Sequence, residues 1–183
     1  MRILGIDPGS SVTGYGVVER AAGKLVHVAH GALRPPRNVS LAFRLDHLYR
    51  AVADVIARHE PDCAAVEQVF VAVSPRSALV LGQARGAILA AVAAAGLPVS
   101  EYAPTRIKRS VTGNGRANKQ QVKLMVRRLL ALDRLPVSDA ADALAAAISH
   151  ANAGRLESLG VARGTGRLRS GSRTAIFTAR RPR

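Results

Sequence analysis

A short apolar run that ends on a carboxylate occurs twice in this chain, and it constrains the fold more than any other feature. Residues 2–7 read RILGID and run into PGSS, a turn signal; residues 63–68 read CAAVEQ, with Glu67 closing the apolar stretch. Runs this short, apolar and punctuated predict central strands. A charge inside the sheet costs free energy. Each run therefore delivers an acid to a strand's carboxyl end, where the sites of α/β proteins gather.

The remaining elements build a frame around these two strands. Residues 14–20 and 24–33, parted by a turn at 21–23, join the first run in an antiparallel meander. After Pro35 and Pro36, apolar residues recur at helical spacing through 39–59 (Leu41, Leu45, Leu48, Val52, Val55, Ile56). Ser74 caps a helix that reaches Ala95 and stops at Gly96, and 98–103 makes a fifth strand. Pro104 opens a short helix to Val111; TGNGRAN (112–118) reads as a flexible loop, followed by helices over 119–132 and 139–152. The order predicts one α/β domain, residues 1–152: a five-stranded mixed sheet of an antiparallel meander plus parallel strands, flanked by helices. Beyond Gly154 the composition turns to Gly, Ser, Thr and Arg, so 153–183 is expected to be a basic flexible tail.

Charge narrows the function. The formal net charge is +15. Eight Arg and one Glu lie in 155–183, and the nineteen basic and eleven acidic residues before them leave residues 1–154 at +8. The body is basic without its tail, which points to a polyanionic partner, nucleic acid first. Cys63 stands alone, so an intramolecular disulfide and a cysteine metal cluster are both excluded. The N-terminus lacks a signal-peptide layout, and the longest apolar stretch, 87–95, is too short for a bilayer span. The expectation is a cytoplasmic protein without a membrane partner.

Only twelve acidic residues are present, and four stand where chemistry would place them. Asp7 and Glu67 end strands, while Asp139 and Asp142, three apart, share one face at the start of the last helix. Converging carboxylates repel unless a cation neutralises them, and oxygen-only ligands suit Mg²⁺ or Mn²⁺. Two such ions can clamp the attacking and leaving oxygens of a phosphodiester. Plainer roles stand beside this reading. Asp7 before Pro8 can form a turn, Glu67 can be a solvated strand end, and Asp139 and Asp142 can be helix-start acids. Spacing alone does not show that the four converge.

Five blocks in order carry a resemblance: ILGIDPGSSVTGYGVV (3–18), AAVEQVF (64–70), SALVLGQARG (77–86), VTGNGRANKQQV (111–122) and DAADALAAAISH (139–150). As a set they resemble the RuvC family of crossover junction endodeoxyribonucleases over residues 1–152. The resemblance implies a ribonuclease H-like fold and a homodimer that resolves four-way (Holliday) DNA junctions by symmetric paired nicks. It implies 5′-phosphate and 3′-hydroxyl ends, a role in homologous recombination and DNA repair, and junction delivery by a branch-migration motor complex. It carries four metal-binding, catalytic carboxylates onto Asp7, Glu67, Asp139 and Asp142, with two Mg²⁺ per subunit and Mn²⁺ as a substitute.

Other residues fit that picture. Helix 74–95 has almost no polar side chain after Arg85, so one side can pack on the sheet and the other on a partner subunit, with Gly82 and Gly86 allowing close approach. Phe70, three residues past Glu67, can stack on an unpaired base at the crossover. Lys108, Arg109, Arg116 and Lys119 flank the glycine-containing loop and suit phosphate contacts. Three rivals remain. An actin-like ATPase would need a second related domain. A junction-binding protein without activity would have lost acids that are present here. A ribonuclease H-like nuclease for RNA–DNA hybrids shares the fold and is separated only by a substrate panel.

Overall fold

The computed structural model describes residues 1–68 and 74–158. Five strands, β1 (Arg2–Asp7), β2 (Thr13–Ala21), β3 (Lys24–Leu33), β4 (Cys63–Glu67) and β5 (Val99–Tyr102), form one sheet in the order β3-β2-β1-β4-β5. β1, β2 and β3 pair antiparallel as the meander, and β4 and β5 continue the sheet parallel to β1. The helices are α1 (Leu41–His59), α2 (Pro75–Ala94), α3 (Pro104–Thr112), α4 (Lys119–Leu129) and α5 (Ser138–Ser158). The mixed sheet flanked by helices is the architecture that the alternation of short apolar runs and helical spacing predicts.

The strands alternate their side chains between two cores. Leu4, Ile6, Val17, Ala64 and Val66 pack against Leu48, Val52 and Val55 of α1 and Ile88 and Val92 of α2. Ile3, Val18, Cys63 and Ala65 face the opposite way, onto α3, α4 and α5. Residues 143–148 of α5 are all at 0% exposure. Each fully buried Leu or Ile among them, such as Leu144 and Ile148, contributes about 1.5–3 kcal/mol against leaving it in water.

Two helices differ from expectation. The last one runs on to Ser158 instead of ending near 152, because Gly154 is tolerated within a helix and Arg155, Leu156 and Glu157 favour one. The helix enclosed on all sides is α5. On α2, only Ala84, Ile88, Ala91 and Val92 are buried, while Leu79, Gly82, Gln83, Gly86 and Ala90 lie along an exposed stripe. By length and composition α2 is long and apolar enough to cross a membrane, at 20 residues, which the nine-residue stretch alone did not suggest. Its inner face is committed to α1 in the second core.

Candidate functional site

The sheet brings the first two acids together. β1 and β4 are parallel neighbours, in register at Ile6 and Val66, so Asp7 and Glu67 leave the sheet side by side at its carboxyl edge. The third component comes from α5, which lies unusually close to β1 and β2. A Cβ on Gly5 would fall onto the backbone of Ala143 and Ala147, and one on Gly14 onto the carbonyl of Asp139. Gly14 is also the antiparallel partner of Asp7. The missing side chains let the first turns of α5 settle against the strand ends, carrying Asp139 and Asp142 to Asp7. The positive end of the α5 dipole favours negative charge at this point.

Asp7, Glu67 and Asp142 line a cavity of about 220 Å³ walled by Pro104, Ile107, Val122 and Ala145 and rimmed by Lys108 and Lys119. Lys119 Nζ stands 3.7 Å from Asp142 Oδ2. Burial pushes the Asp7 carboxyl up to about 7, with Asp142 and Asp139 adding repulsion and Lys119 opposing it. Burial also raises Glu67 to about 7, helped by Asp7 and Asp142 and opposed by Lys119 and Lys108. Asp142 is raised as well, by burial first; Lys119 pulls it down and Asp139 pushes it up. Each of the three feels at least one neighbouring carboxylate, so a cation here would lower all three. Among the described residues, no group of three or more His, Cys, Asp or Glu side chains is set to hold a metal ion as it stands. Oxygen ligands without nitrogen or sulfur match a hard divalent ion.

A pH prediction follows from the two acids near 7. A carboxyl whose folded pKa is raised contributes fully below its unfolded pKa of about 4, and that contribution is lost as pH rises through about 7. The metal-free protein should therefore gain from Asp7→Asn at pH 8 but not at pH 4. The gain is on the order of 2 kcal/mol, or about 4–8 °C in Tm. Thermal melts of both proteins with chelator at the two pH values check this; equal differences at both would place Asp7 in an ordinary environment.

The other predicted residues divide. Asp139 sits in the first turn of α5 and acts on Asp7 and Asp142 through its charge, but it does not line the cavity. Lys108, half-buried, and Lys119, exposed, reach the rim. Arg109 and Arg116 are exposed and lie outside the lining; Arg109 sits beside Gly115. Phe70 lies outside the described residues. The loop over 112–118, expected to be flexible, is tied by hydrogen bonds: Thr112 Oγ1 accepts from Asn114 N, and Asn114 Oδ1 accepts from Arg116 N. Asn118 and Gln121 form a capping box that fixes the start of α4, and Lys119 with it.

Two positioning residues were not singled out from sequence. Thr13 is buried and donates to the Gly9 carbonyl at 2.9 Å, closing the turn after Asp7. Arg44 donates from α1 to the Ser10 carbonyl in the same turn. The repeated small and hydroxyl residues of PGSSVTG were the available signal for Thr13; nothing marked Arg44 within an ordinary amphipathic helix.

Comparison with known proteins identifies the family. Residues 3–150 match the family model for crossover junction endodeoxyribonuclease RuvC. The RuvC crossover junction endodeoxyribonuclease of Cupriavidus metallidurans is 54% identical over 154 residues, 84% of this chain and 85% of that protein. That of Alkalilimnicola ehrlichii is 56% identical over 149 residues, 81% of this chain and 90% of that protein. Thermus thermophilus RuvC, solved in complex with a Holliday junction substrate, superposes with a TM-score of 0.80 at 36% identity, covering 88% of this chain and 97% of that one. The fold is the ribonuclease H-like one of these structures. With most of its length matched by the model and by relatives about half identical, the chain belongs to the RuvC family of crossover junction endodeoxyribonucleases.

Proposed function

We propose that this chain resolves four-way DNA junctions by metal-dependent hydrolysis, nicking two strands symmetrically and leaving 5′-phosphate and 3′-hydroxyl ends, in recombination and repair. The observation that carries the reading is the cavity at the sheet edge: three carboxylates from three separate elements, two with pKa near 7, under a rim of two lysines.

The donor set fits Mg²⁺, with Mn²⁺ as a substitute. Asp7, Glu67 and Asp142 would hold the ions, two per subunit, with Asp139 contributing from the first turn of α5. When bound, the ions supply Lewis-acid stabilisation of the phosphate and lower the pKa of water. The protein's own groups do the rest. The carboxylates, anchored on two strands and a buried helix, keep their geometry as charge develops. Lys119 and Lys108 draw the phosphate to the rim and offset negative charge there. Arg109 and Arg116, exposed beyond the rim, suit contacts to the backbone of a neighbouring arm. Phe70, three residues past Glu67, suits stacking on a base opened at the crossover.

Paired nicks need two equal sites related by a dyad, as a four-way junction has. The exposed stripe of α2 supports a homodimer: Gly82 and Gly86 have nothing within 4 Å of where a Cβ would stand, and Leu79 is 64% exposed. A nuclease domain that ends with α5, a basic tail beyond it, work in the cytoplasm, and junctions delivered by a branch-migration motor complete the proposal. It is tested on a panel of mobile four-way junction, linear duplex and RNA–DNA hybrid, each with Mg²⁺ or chelator. Symmetric nicks in the junction alone, absent under chelator, are expected. Preferential cutting of the hybrid would overturn the substrate assignment.

A further inference from the structure

Tyr102, His150 and Cys63 lie outside the cavity lining, and the cleavage chemistry leaves them unused. Tyr102 is buried at the end of β5, as the parallel partner of Glu67. Its three parts reach three different elements. The carbonyl accepts from Gln68 N at 2.9 Å, which fixes the backbone just past Glu67. The hydroxyl shares a 2.8 Å hydrogen bond with His150 Nδ1 on α5, and the two rings meet edge-on at 80°. The ring carries the Arg106 guanidinium of α3, 5.0 Å from its centroid. His150 in turn places Nε2 3.4 Å from Cys63 Sγ, at the start of the strand that delivers Glu67. His150 thus ties α5 to both β4 and β5.

The glycines of β1 and β2 set how closely α5 approaches the sheet, but not where it stops along its own axis. Ala145, Ala146 and Ala147 offer few ridges to lock the helix in that direction. The Tyr102–His150 bond supplies a fixed point, and it is costly to break because each group would be left unpaired in the core. Asp142 precedes His150 on the same helix by about 12 Å, at 1.5 Å per residue. Residues 143–148 between them are at 0% exposure and Ser149 is at 2%, so this stretch moves as one body. We propose, building on the metal-dependent cleavage proposed above, that Tyr102 and His150 are positioning residues. Their hydrogen bond sets the spacing between Glu67 on β4 and Asp142 on α5. Reacting groups tolerate little displacement: an error of about 1 Å can cost about 10²-fold in rate.

The test uses the full chain and Tyr102→Phe, which removes the hydroxyl but keeps the ring under Arg106 and the carbonyl on Gln68. Four quantities are compared, all well below the melting points. They are the ion-free melt, Mn²⁺ affinity of the DNA-free protein, junction affinity in chelator, and single-turnover cleavage. Mn²⁺ affinity should fall about tenfold and the cleavage rate about 10–10²-fold, with junction affinity unchanged and Tm only slightly lowered. His150→Leu should do the same, and His150→Gln, whose amide can meet the Tyr102 hydroxyl, should recover much of the loss. A lowered Tm with Mn²⁺ affinity and rate as in wild type would make the bond merely structural and overturn the proposal. Wild type that neither binds Mn²⁺ nor cuts would instead overturn the metal-dependent reading, and the positioning role with it.

Discussion

Asp7→Asn should abolish junction cleavage while leaving junction binding intact. The substitution keeps the shape of the side chain and removes one negative charge from the centre of the cluster. Asp7 is the acid pressed hardest by burial and is coupled to both Asp142 and Asp139. It is thus the group whose charge a cation most needs. Loss of one transition-state-stabilising group typically costs about 10²–10³ in rate, and loss of a carboxylate that would hold the metal should reach at least that. In the proposed reading binding rests on Lys108, Lys119 and the exposed arginines, which the change does not touch, and one fewer repelling charge favours the DNA slightly. Single-turnover cleavage and gel-shift titration on the same junction separate the two. Cleavage within a few-fold of wild type would remove Asp7 from the centre.

Gly5→Val should be strongly destabilising. The first added carbon already meets the Ala143 carbonyl and the Ala147 amide, both backbone of a helix that cannot give way locally. Overpacking against side chains costs about 1–3 kcal/mol; here α5 must move as a body, so about 3 kcal/mol or more is expected, a Tm fall of roughly 6–12 °C. Gly154→Ala in the same helix is the contrast. Nothing lies within 4 Å of a Cβ there, and the helix should gain about 0.5–1 kcal/mol. Denaturant titration of both decides the matter. A mild effect of Gly5→Val would mean that α5 is not clamped to the strands.

That clamp also explains what sequence could and could not reveal. The strands ending in Asp7 and Glu67 were legible because a short apolar run with a terminal acid has few alternative readings. Asp142 was legible only as half of a pair on one helix face, since no spacing states which strand end a helix will reach. The information was present in Gly5, Gly14 and Gly16, which let that helix approach, but a glycine in a strand signals closeness without naming the neighbour. The two alanine-rich helices show the same limit. AILAAVAAA on α2 and DALAAAIS on α5 have similar composition, yet α5 is enclosed and α2 shows a face to solvent. Composition measures capacity for burial; the facing glycines decide which helix uses it.

The most direct measurement is divalent-ion binding itself, by calorimetric Mn²⁺ titration of the DNA-free protein at pH 7.5, for wild type and for Asp7→Asn combined with Glu67→Gln. Wild type should bind Mn²⁺ and the double variant should lose that binding, with both proteins folded. Equal Mn²⁺ affinity in the two would contradict it, and would mean that the acids at the sheet edge are not the metal centre.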